Sequence, residues 1–257
     1  MRKPSLLAAG LALALLAGCA APVPQETASP APTPTPEAAA PSPEATVPPL
    51  PTNYFHTLCY LRPTVYLDKA VMDTQGYPLT CSFEVPLFEE TTEGYRAINA
   101  FFQDLRDAFF DPKGGEGSAQ AAWDSVTSAG DPEYRYFYER SVRVLTQTDT
   151  LVSVYLDWYW YMGGVNDTGG DCYNFDPVTG ERLYLSDLIA EPEDKALALI
   201  RSVVEENGYG GASVEGRALD DFDFYVSEGK VFLQFDRYEI TIGAGGSPVL
   251  ELPVKLK

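Results

Sequence analysis

The residues best able to do chemistry in this 257-residue chain are four cysteines, one histidine and 37 carboxylates. Serine-histidine-acid triads and multi-histidine zinc sites need histidines, and the only one here is His56. Cys172 lies near Asp171 and Asp176, but a cysteine nucleophile needs an activating base, which no distant histidine supplies. We therefore expect a structural role for Cys172 and a protein that is not an enzyme of these types.

Two groups of oxygen-bearing side chains could hold a cation. They are Asp220, Asp221 and Asp223, and Asn166, Asp167 and Asp171. Neither group has the regular spacing and central glycine of a calcium-binding loop. We interpret both as solvated turns, with a loose calcium site as the alternative, and expect no metal and no cofactor. A hydrolase that uses carboxylates is a further hypothesis, and it would need a deep acidic pocket.

Cys19 carries the clearest chemical signal in the sequence. It follows Leu16-Ala17-Gly18 and closes a leader in which Arg2 and Lys3 precede an apolar run from 6 to 17. A run of this length is shorter than the roughly 20 residues that cross a bilayer. Residues 1–18 are therefore predicted to be a lipoprotein signal peptide, with Cys19 lipidated as the new N-terminus. An ordinary secretory leader is the alternative. The prediction places the mature protein on the outer face of the cell membrane.

Composition predicts a tethered acidic domain. Residues 19–53 are rich in proline and contain no lysine or arginine, which is typical of a disordered linker. Without the leader, 16 Lys and Arg stand against 37 Asp and Glu, a net charge of 16 − 37 = −21. This charge disfavours nucleic acid and attracts cationic partners, although it could serve solubility alone. We expect a monomer.

The remaining cysteines are odd in number, which suggests one pair and one free thiol. Cys59 and Cys81 lie in two extended segments joined through residues 75–78, so a disulfide across a hairpin is predicted for them. Reduced cysteines are the alternative.

Hydrophobic periodicity predicts an α+β fold, with antiparallel hairpins packed on a few helices. Two halves are expected, 54–163 and 164–257. The predicted helices are 95–109, 118–128, a single turn at 187–189, and 192–207. The predicted strands are 57–67, 79–87, 134–146, 151–162, 172–176, 182–185, 222–226, 230–235, 238–242 and 248–256.

The strand over 151–162 has two different faces. Val152, Val154, Leu156, Trp158 and Trp160 share one face, which is predicted to be core. Tyr155, Asp157, Tyr159 and Tyr161 share the other, which is either a recognition surface or a face half-buried under a helix.

Several short motifs occur in a recognisable order. They are Tyr95–Asn99, Tyr161–Gly164, Asn174–Gly180, Leu185–Leu188 and Tyr238-Glu239-Ile240. With these motifs the chain resembles, over about 58–256, the extracytoplasmic domain shared by the lysozyme-binding anti-sigma factor RsiV and the peptidoglycan deacetylase PdaC. Family members usually continue the Gly-Gly pair with Ala-His-Gly, where this chain has Val165-Asn166-Asp167. No histidine role is carried over.

The resemblance implies a binding or sensing module of the cell envelope. Its partners would be the membrane, through the lipid on Cys19, and a cationic lysozyme-like protein, with peptidoglycan as the alternative. The candidate binding residues are Tyr155, Asp157, Tyr159, Tyr161, Asn166 and Asp167. The motif residues Gly163, Gly164, Asn174, Asp176, Gly180, Tyr238 and Glu239 are expected to shape turns, with Asn174 and Asp176 holding the turn at 179–180.

Overall fold

A computed structural model describes residues 54–62, 64–73, 79–129 and 133–257. These residues belong to one compact unit, Thr46–Lys257. The predicted signal peptide, Cys19, the linker and the side chain of Cys59 lie outside what is described. Within the described ranges, every helix is too short or too polar to cross a membrane.

The first sheet has six strands in sequence order. Every neighbouring pair is antiparallel except β3 and β4, which are parallel. A parallel pair needs a long crossover, and here it carries helices α1 and α2. The elements are β1 Tyr54–Arg62, β2 Val65–Asp73, β3 Leu79–Phe88, α1 Glu93–Phe109, α2 Ala119–Ala129, β4 Tyr136–Gln147, β5 Val152–Met162 and β6 Asn166–Phe175.

Both helices cover one face of this sheet. Thr92 caps α1 by accepting a hydrogen bond from the Tyr95 amide at 3.1 Å, and the apolar stripe of the helix points at the strands. Ile98 and Phe102 of α1 and Trp123 of α2 are fully buried in a core that includes Val152, Val154 and Leu156. The predicted core face of β5 is confirmed for these three residues.

A second sheet of three strands forms with two further helices. Its strands are in the order β7, β8 and β9, and all pairs are antiparallel. Its core includes Ile200, Val204, Leu233 and Phe235. The α+β prediction is therefore confirmed. The elements are α3 Leu185–Leu188, α4 Glu193–Glu206, β7 Asp223–Ser227, β8 Lys230–Gln234 and β9 Val249–Leu252.

The second sheet packs on the face of the first sheet opposite α1 and α2, which we call the far face. The Ser153 hydroxyl accepts a hydrogen bond from the Val226 amide at 2.8 Å, and Thr146 donates to the Val226 carbonyl at 2.7 Å. Tyr155 donates to Gln234 Oε1 at 3.0 Å, and its side chain is buried. Tyr155 as a binding residue was therefore a wrong prediction, and what covers it is a sheet rather than a helix.

The first strand pair differs from its prediction. One strand was expected over 57–67, but β1 ends at Arg62 and β2 begins at Val65. Cys59 consequently pairs with Leu67, whereas Cys81 pairs with Met72 on the other side of β2. The two cysteines are two strands apart and about 16 Å apart along the strands, at 3.3 Å per residue. A disulfide cannot span that separation, and Cys81 is a free, buried thiol.

Gly163 and Gly164 lie in the turn between β5 and β6, where both have positive φ. The two halves expected on either side of them therefore share the first sheet, and the chain changes sheet only after Phe175.

In the turn after β6, Asp176 makes the predicted hydrogen bonds but Asn174 does not. The Asp176 carboxylate accepts hydrogen bonds from the amides of Val178 at 2.7 Å and Thr179 at 3.2 Å. Asn174 is buried and donates instead to the Phe224 carbonyl at 2.8 Å. Asn174 thus links the two sheets, because β7 passes close to β6.

Candidate binding surface

The turn between β5 and β6 meets the segment that joins β8 to β9. Arg237 makes the junction: its Nη1 donates to Asp167 Oδ1 at 2.9 Å, and its Nε donates to the Gly243 carbonyl at 2.7 Å. Ser247 adds a hydrogen bond to the Thr168 carbonyl at 2.9 Å. Residues far apart in sequence therefore form one surface. We call it the tip surface and define it by Val165, Asn166, Asp167, Arg237, Tyr238 and Ile242.

The tip surface exposes large apolar side chains. Ile242 is 77% exposed, Tyr238 70% and Val165 62%, which makes them the most exposed large hydrophobic residues in the described ranges. An exposed apolar group rimmed by polar residues marks an interaction site more often than scattered single residues do. Here the polar rim is supplied by Asn166 and Asp167.

Tyr238 is held in a conformation that tyrosine disfavours. Its φ is +72°, in the left-handed region where a side chain costs about 1–2 kcal/mol. The ring lies against Gly243, where any side chain would collide with it. The Arg237 guanidinium lies 5.6 Å from the ring centroid. Strained residues held by their surroundings cluster at functional sites, so this exposed tyrosine is a candidate contact residue.

Glu239 fixes the start of the same segment. Its carboxylate accepts a hydrogen bond from the Asp236 amide at 2.6 Å and pairs with Arg217. A strand was expected over 238–242, but the segment forms a turn that no strand pairs with. Tyr238 and Ile242 therefore face solvent, whereas Ile240 between them is buried in the core of the second sheet. The expected role of Tyr238 and Glu239 in shaping a turn matches this geometry.

Several carboxylates lie beside the tip surface. The pKa of Asp223 is raised to about 6, first by desolvation and then by the charges of Asp171, Asp236 and Glu239. The pKa of Asp236 is also raised, by desolvation first and then by Glu239, Asp171 and Asp167. Mutual repulsion of this kind is relieved by a cation, so the electrostatics favour a positively charged partner.

Asp223 should make the protein lose stability as the pH rises. Its folded-state pKa of about 6 lies above the ordinary 3.8, so the folded state holds the proton more tightly than the unfolded state between these values. The free energy of unfolding contributed by this group therefore falls between pH 4 and pH 6. We expect Asp223→Asn to gain stability relative to the wild type over that interval and to keep the gain at pH 7, as measured by urea unfolding.

The control for this prediction is Asp149→Asn, which removes an exposed carboxylate from the turn between β4 and β5. The difference in unfolding free energy between Asp149→Asn and the wild type should not grow between pH 4 and pH 6. If plots of the unfolding free energy against pH ran parallel for the wild type and Asp223→Asn, the prediction would be contradicted.

The structure places the other predicted binding residues in different parts of the molecule. Asp157 forms a two-point ion pair with Arg143, at 2.8 and 2.9 Å. Tyr159 and Tyr161 lie on the uncovered end of the far face, where Tyr161 neighbours Phe137 with ring centroids 6.5 Å apart. Only Asn166 and Asp167 reach the tip surface.

Sequence reasoning missed Arg237, Ile242 and Val165. Arg237 had a weak signal, as a basic residue in a strongly acidic chain. Ile242 had none, because its apolar character fitted a strand. No set of three or more His, Cys, Asp or Glu side chains in the described ranges is arranged to hold a metal ion.

Comparison with known proteins gives evidence on the fold. No family model matches the chain, and no curated protein matches it by sequence. A solved structure of a DUF3298 family member from Bacteroides fragilis is similar with a TM-score of 0.51 and 16% identity, covering 74% of this chain and 90% of that one. A DUF3298 family protein from Pseudomonas aeruginosa gives a TM-score of 0.46 and 18% identity, covering 82% and 96%. This chain thus shares its fold with the DUF3298 family member from Bacteroides fragilis.

Proposed function

We propose that this chain is a lipid-anchored binding protein on the outer face of the bacterial cell membrane, without enzymatic activity, that captures a cationic lysozyme-like protein through the tip surface. One observation carries the proposal: Tyr238 and Ile242 are held out into solvent on a segment that Arg237 fastens to Asp167. The anchor on Cys19 rests on the leader sequence.

The tip surface has the composition of an interface centre. Aromatic residues and arginine dominate the energetics of protein interfaces, and a single buried anchor typically contributes about 2 kcal/mol or more. Tyr238 can supply a large contact area at little conformational cost, because its backbone and Arg237 already fix it.

Charge supports a cationic partner. A net charge of 16 − 37 = −21 after the leader is removed would steer a basic protein towards the chain. Carboxylates beside the tip surface add a local attraction that weakens with salt, since the Debye length is about 10 Å at 0.1 M ionic strength.

The motif resemblance to the domain shared by RsiV and PdaC supports an envelope module. The peptidoglycan alternative on Tyr155, Tyr159 and Tyr161 has less support, since Tyr155 is buried under the second sheet. We do not propose peptidoglycan binding for the far face.

Calorimetric titration of the full chain with lysozyme tests the proposal. We expect a micromolar dissociation constant that weakens about tenfold between 50 and 200 mM salt, as attraction between opposite charges is screened. Succinylated lysozyme, with its lysine charges reversed, is the matched ligand control and should not bind.

A pair of variants locates the contact. Ile242→Asp should weaken binding at least tenfold, because it places a charge at the centre of the interface. Val178→Asp is the control, since Val178 is a similarly exposed aliphatic residue on the turn near α1. The absence of binding at 100 µM protein would refute the lysozyme version of the proposal, and equal losses in both variants would refute its location.

A further inference from the structure

An apolar groove of about 250 Å³ lies between α2 and the end of β5, on the helix side of the first sheet. Its aromatic wall comes from Tyr138 of β4 and Trp160 of β5, with Met162 beside them. The opposite wall comes from small side chains of α2, among them Ala121 and Ser125. Trp160 and Met162 are only half-buried. The groove therefore leaves apolar surface of β5 open to a further contact.

Trp160 has an unused hydrogen-bond donor in this groove. No described residue accepts from its indole N–H, whereas the neighbouring Tyr138 hydroxyl donates to the Gly117 carbonyl at 3.0 Å. An indole nitrogen donates and does not accept, so a fitting occupant combines apolar surface with a free carbonyl oxygen. A proline-rich segment offers both, because a polyproline II helix makes no internal hydrogen bonds. Such segments bind to aromatic-lined grooves in other proteins.

The chain carries a segment of this kind immediately before β1, outside the described residues. Residues 47–51 read Val-Pro-Pro-Leu-Pro, and no charged side chain occurs from 45 to 53. A polyproline II helix has three residues per turn, so Val47 and Leu50 would share one side of it. The segment can thus present an apolar ridge to a groove.

The strand register brings the start of β1 to the level of the groove. Tyr54 pairs with Met72, Met72 pairs with Cys81, Cys81 pairs with Tyr138, and Tyr138 pairs with Trp160. The chain therefore enters the first sheet in the same row as Trp160, four strands away. Neighbouring strands are about 4.8 Å apart, so this separation is about 19 Å.

The eight residues before β1 are enough to cover this distance. A polyproline II helix rises about 3.1 Å per residue, so residues 46–53 can span about 25 Å. Because α1 and α2 cover the helix side of the sheet, the path follows the end of the sheet and brings Val47 and Pro48 to Met162 and Trp160. A contact within one chain acts at an effective concentration in the millimolar range when the connection is short, so a weak contact suffices.

We propose that residues 46–51 dock as a polyproline II helix in the groove between α2 and β5. Val47 and the prolines that follow it cover the rings of Tyr138 and Trp160, and a carbonyl group of the segment accepts from the Trp160 indole N–H. Thr46 then lies beside β5, next to the turn that carries part of the tip surface. The proposal does not rest on the lysozyme-like partner.

Nuclear magnetic resonance of the ¹⁵N-labelled full chain tests the docking. Replacing residues 47–51 by five serines should shift the indole signal of Trp160 and the amide signals of Ala121 and Ser125. The substituted residues precede the first strand, so the variant keeps the folded core. Unmoved signals at all three residues, or shifts confined to other parts of the chain, would overturn the proposal.

The matched control is a triple variant, Pro32→Ser, Pro34→Ser and Pro36→Ser, which removes the same number of prolines further from β1. It should leave the signals of the groove where they are in the wild type. Shifts as large as those of the five-serine variant would overturn the assignment to residues 47–51.

A substitution in the groove tests the other side of the contact. In the wild type, the amide signals of Val47 and Leu50 should differ from those of a synthetic peptide of residues 44–53. Ala121→Glu places a charge in the groove and should move both signals to their positions in the peptide. Ala198→Glu makes the same change at an exposed alanine of α4 and should leave both signals unmoved. Wild-type positions in a folded Ala121→Glu protein would overturn the groove as the docking site, and if this variant does not fold, the five-serine variant decides.

Discussion

Replacing Gly180 by alanine is expected to lower the free energy of unfolding by about 3 kcal/mol. Gly180 has a φ of +76°, where a side chain costs about 1–2 kcal/mol. An added Cβ would also lie 2.6 Å from the Ala97 Cβ and 3.0 Å from the Gly94 carbonyl oxygen. Overpacking of this kind typically costs about 1–3 kcal/mol more.

The large effect follows from where the turn is docked. The Gly94 amide donates to the Val178 carbonyl at 3.1 Å, and the Thr92 hydroxyl donates to the Pro177 carbonyl. The turn after β6 therefore rests on the first turn of α1, and a shift at Gly180 has to move the helix or break these bonds.

Gly216→Ala is the matched control for this prediction. Gly216 also has a φ of +76°, but no heavy atom lies within 4 Å of an added Cβ. Its substitution should cost only the backbone strain of about 1–2 kcal/mol. Urea unfolding of the two variants and the wild type measures the difference, and equal losses would contradict the contact at Ala97 as the main cause.

Replacing Tyr238 by asparagine is expected to weaken binding of the cationic partner without lowering stability. Asparagine enters the left-handed region more readily than tyrosine, so the substitution relieves backbone strain. We expect the free energy of unfolding to rise by up to about 1 kcal/mol, because the removed ring is mostly exposed. Lysozyme binding should weaken at least tenfold, measured by calorimetry at low salt.

Tyr66→Asn serves as the control, since Tyr66 is an exposed tyrosine on β2, four strands away from β6. It should bind lysozyme as the wild type does. A Tyr238→Asn protein that is clearly less stable would show that the tyrosine serves the fold, and unchanged binding would exclude Tyr238 from the interface.

Local sequence patterns determined the elements that need only neighbours in the chain. The apolar stripe of α1 and the long hairpin of β4 and β5 follow from periodicity and are found as predicted. The turn at Asp176 also follows locally, because an aspartate can accept from amides two and three residues later.

Contacts between distant segments were decided only by the tertiary structure. Tyr155 has the pattern of an exposed face, yet Gln234, far along the chain, covers it. Asp167 and Arg237, or Arg140 and Asp171, become partners only once the strands are ordered. Strand order and sheet stacking depend on long-range pairing and burial, which periodicity does not encode. The sequence by itself therefore determined most of the helices and strands and the acidic charge, and it predicts the anchor at Cys19, whereas the tip surface exists only through packing.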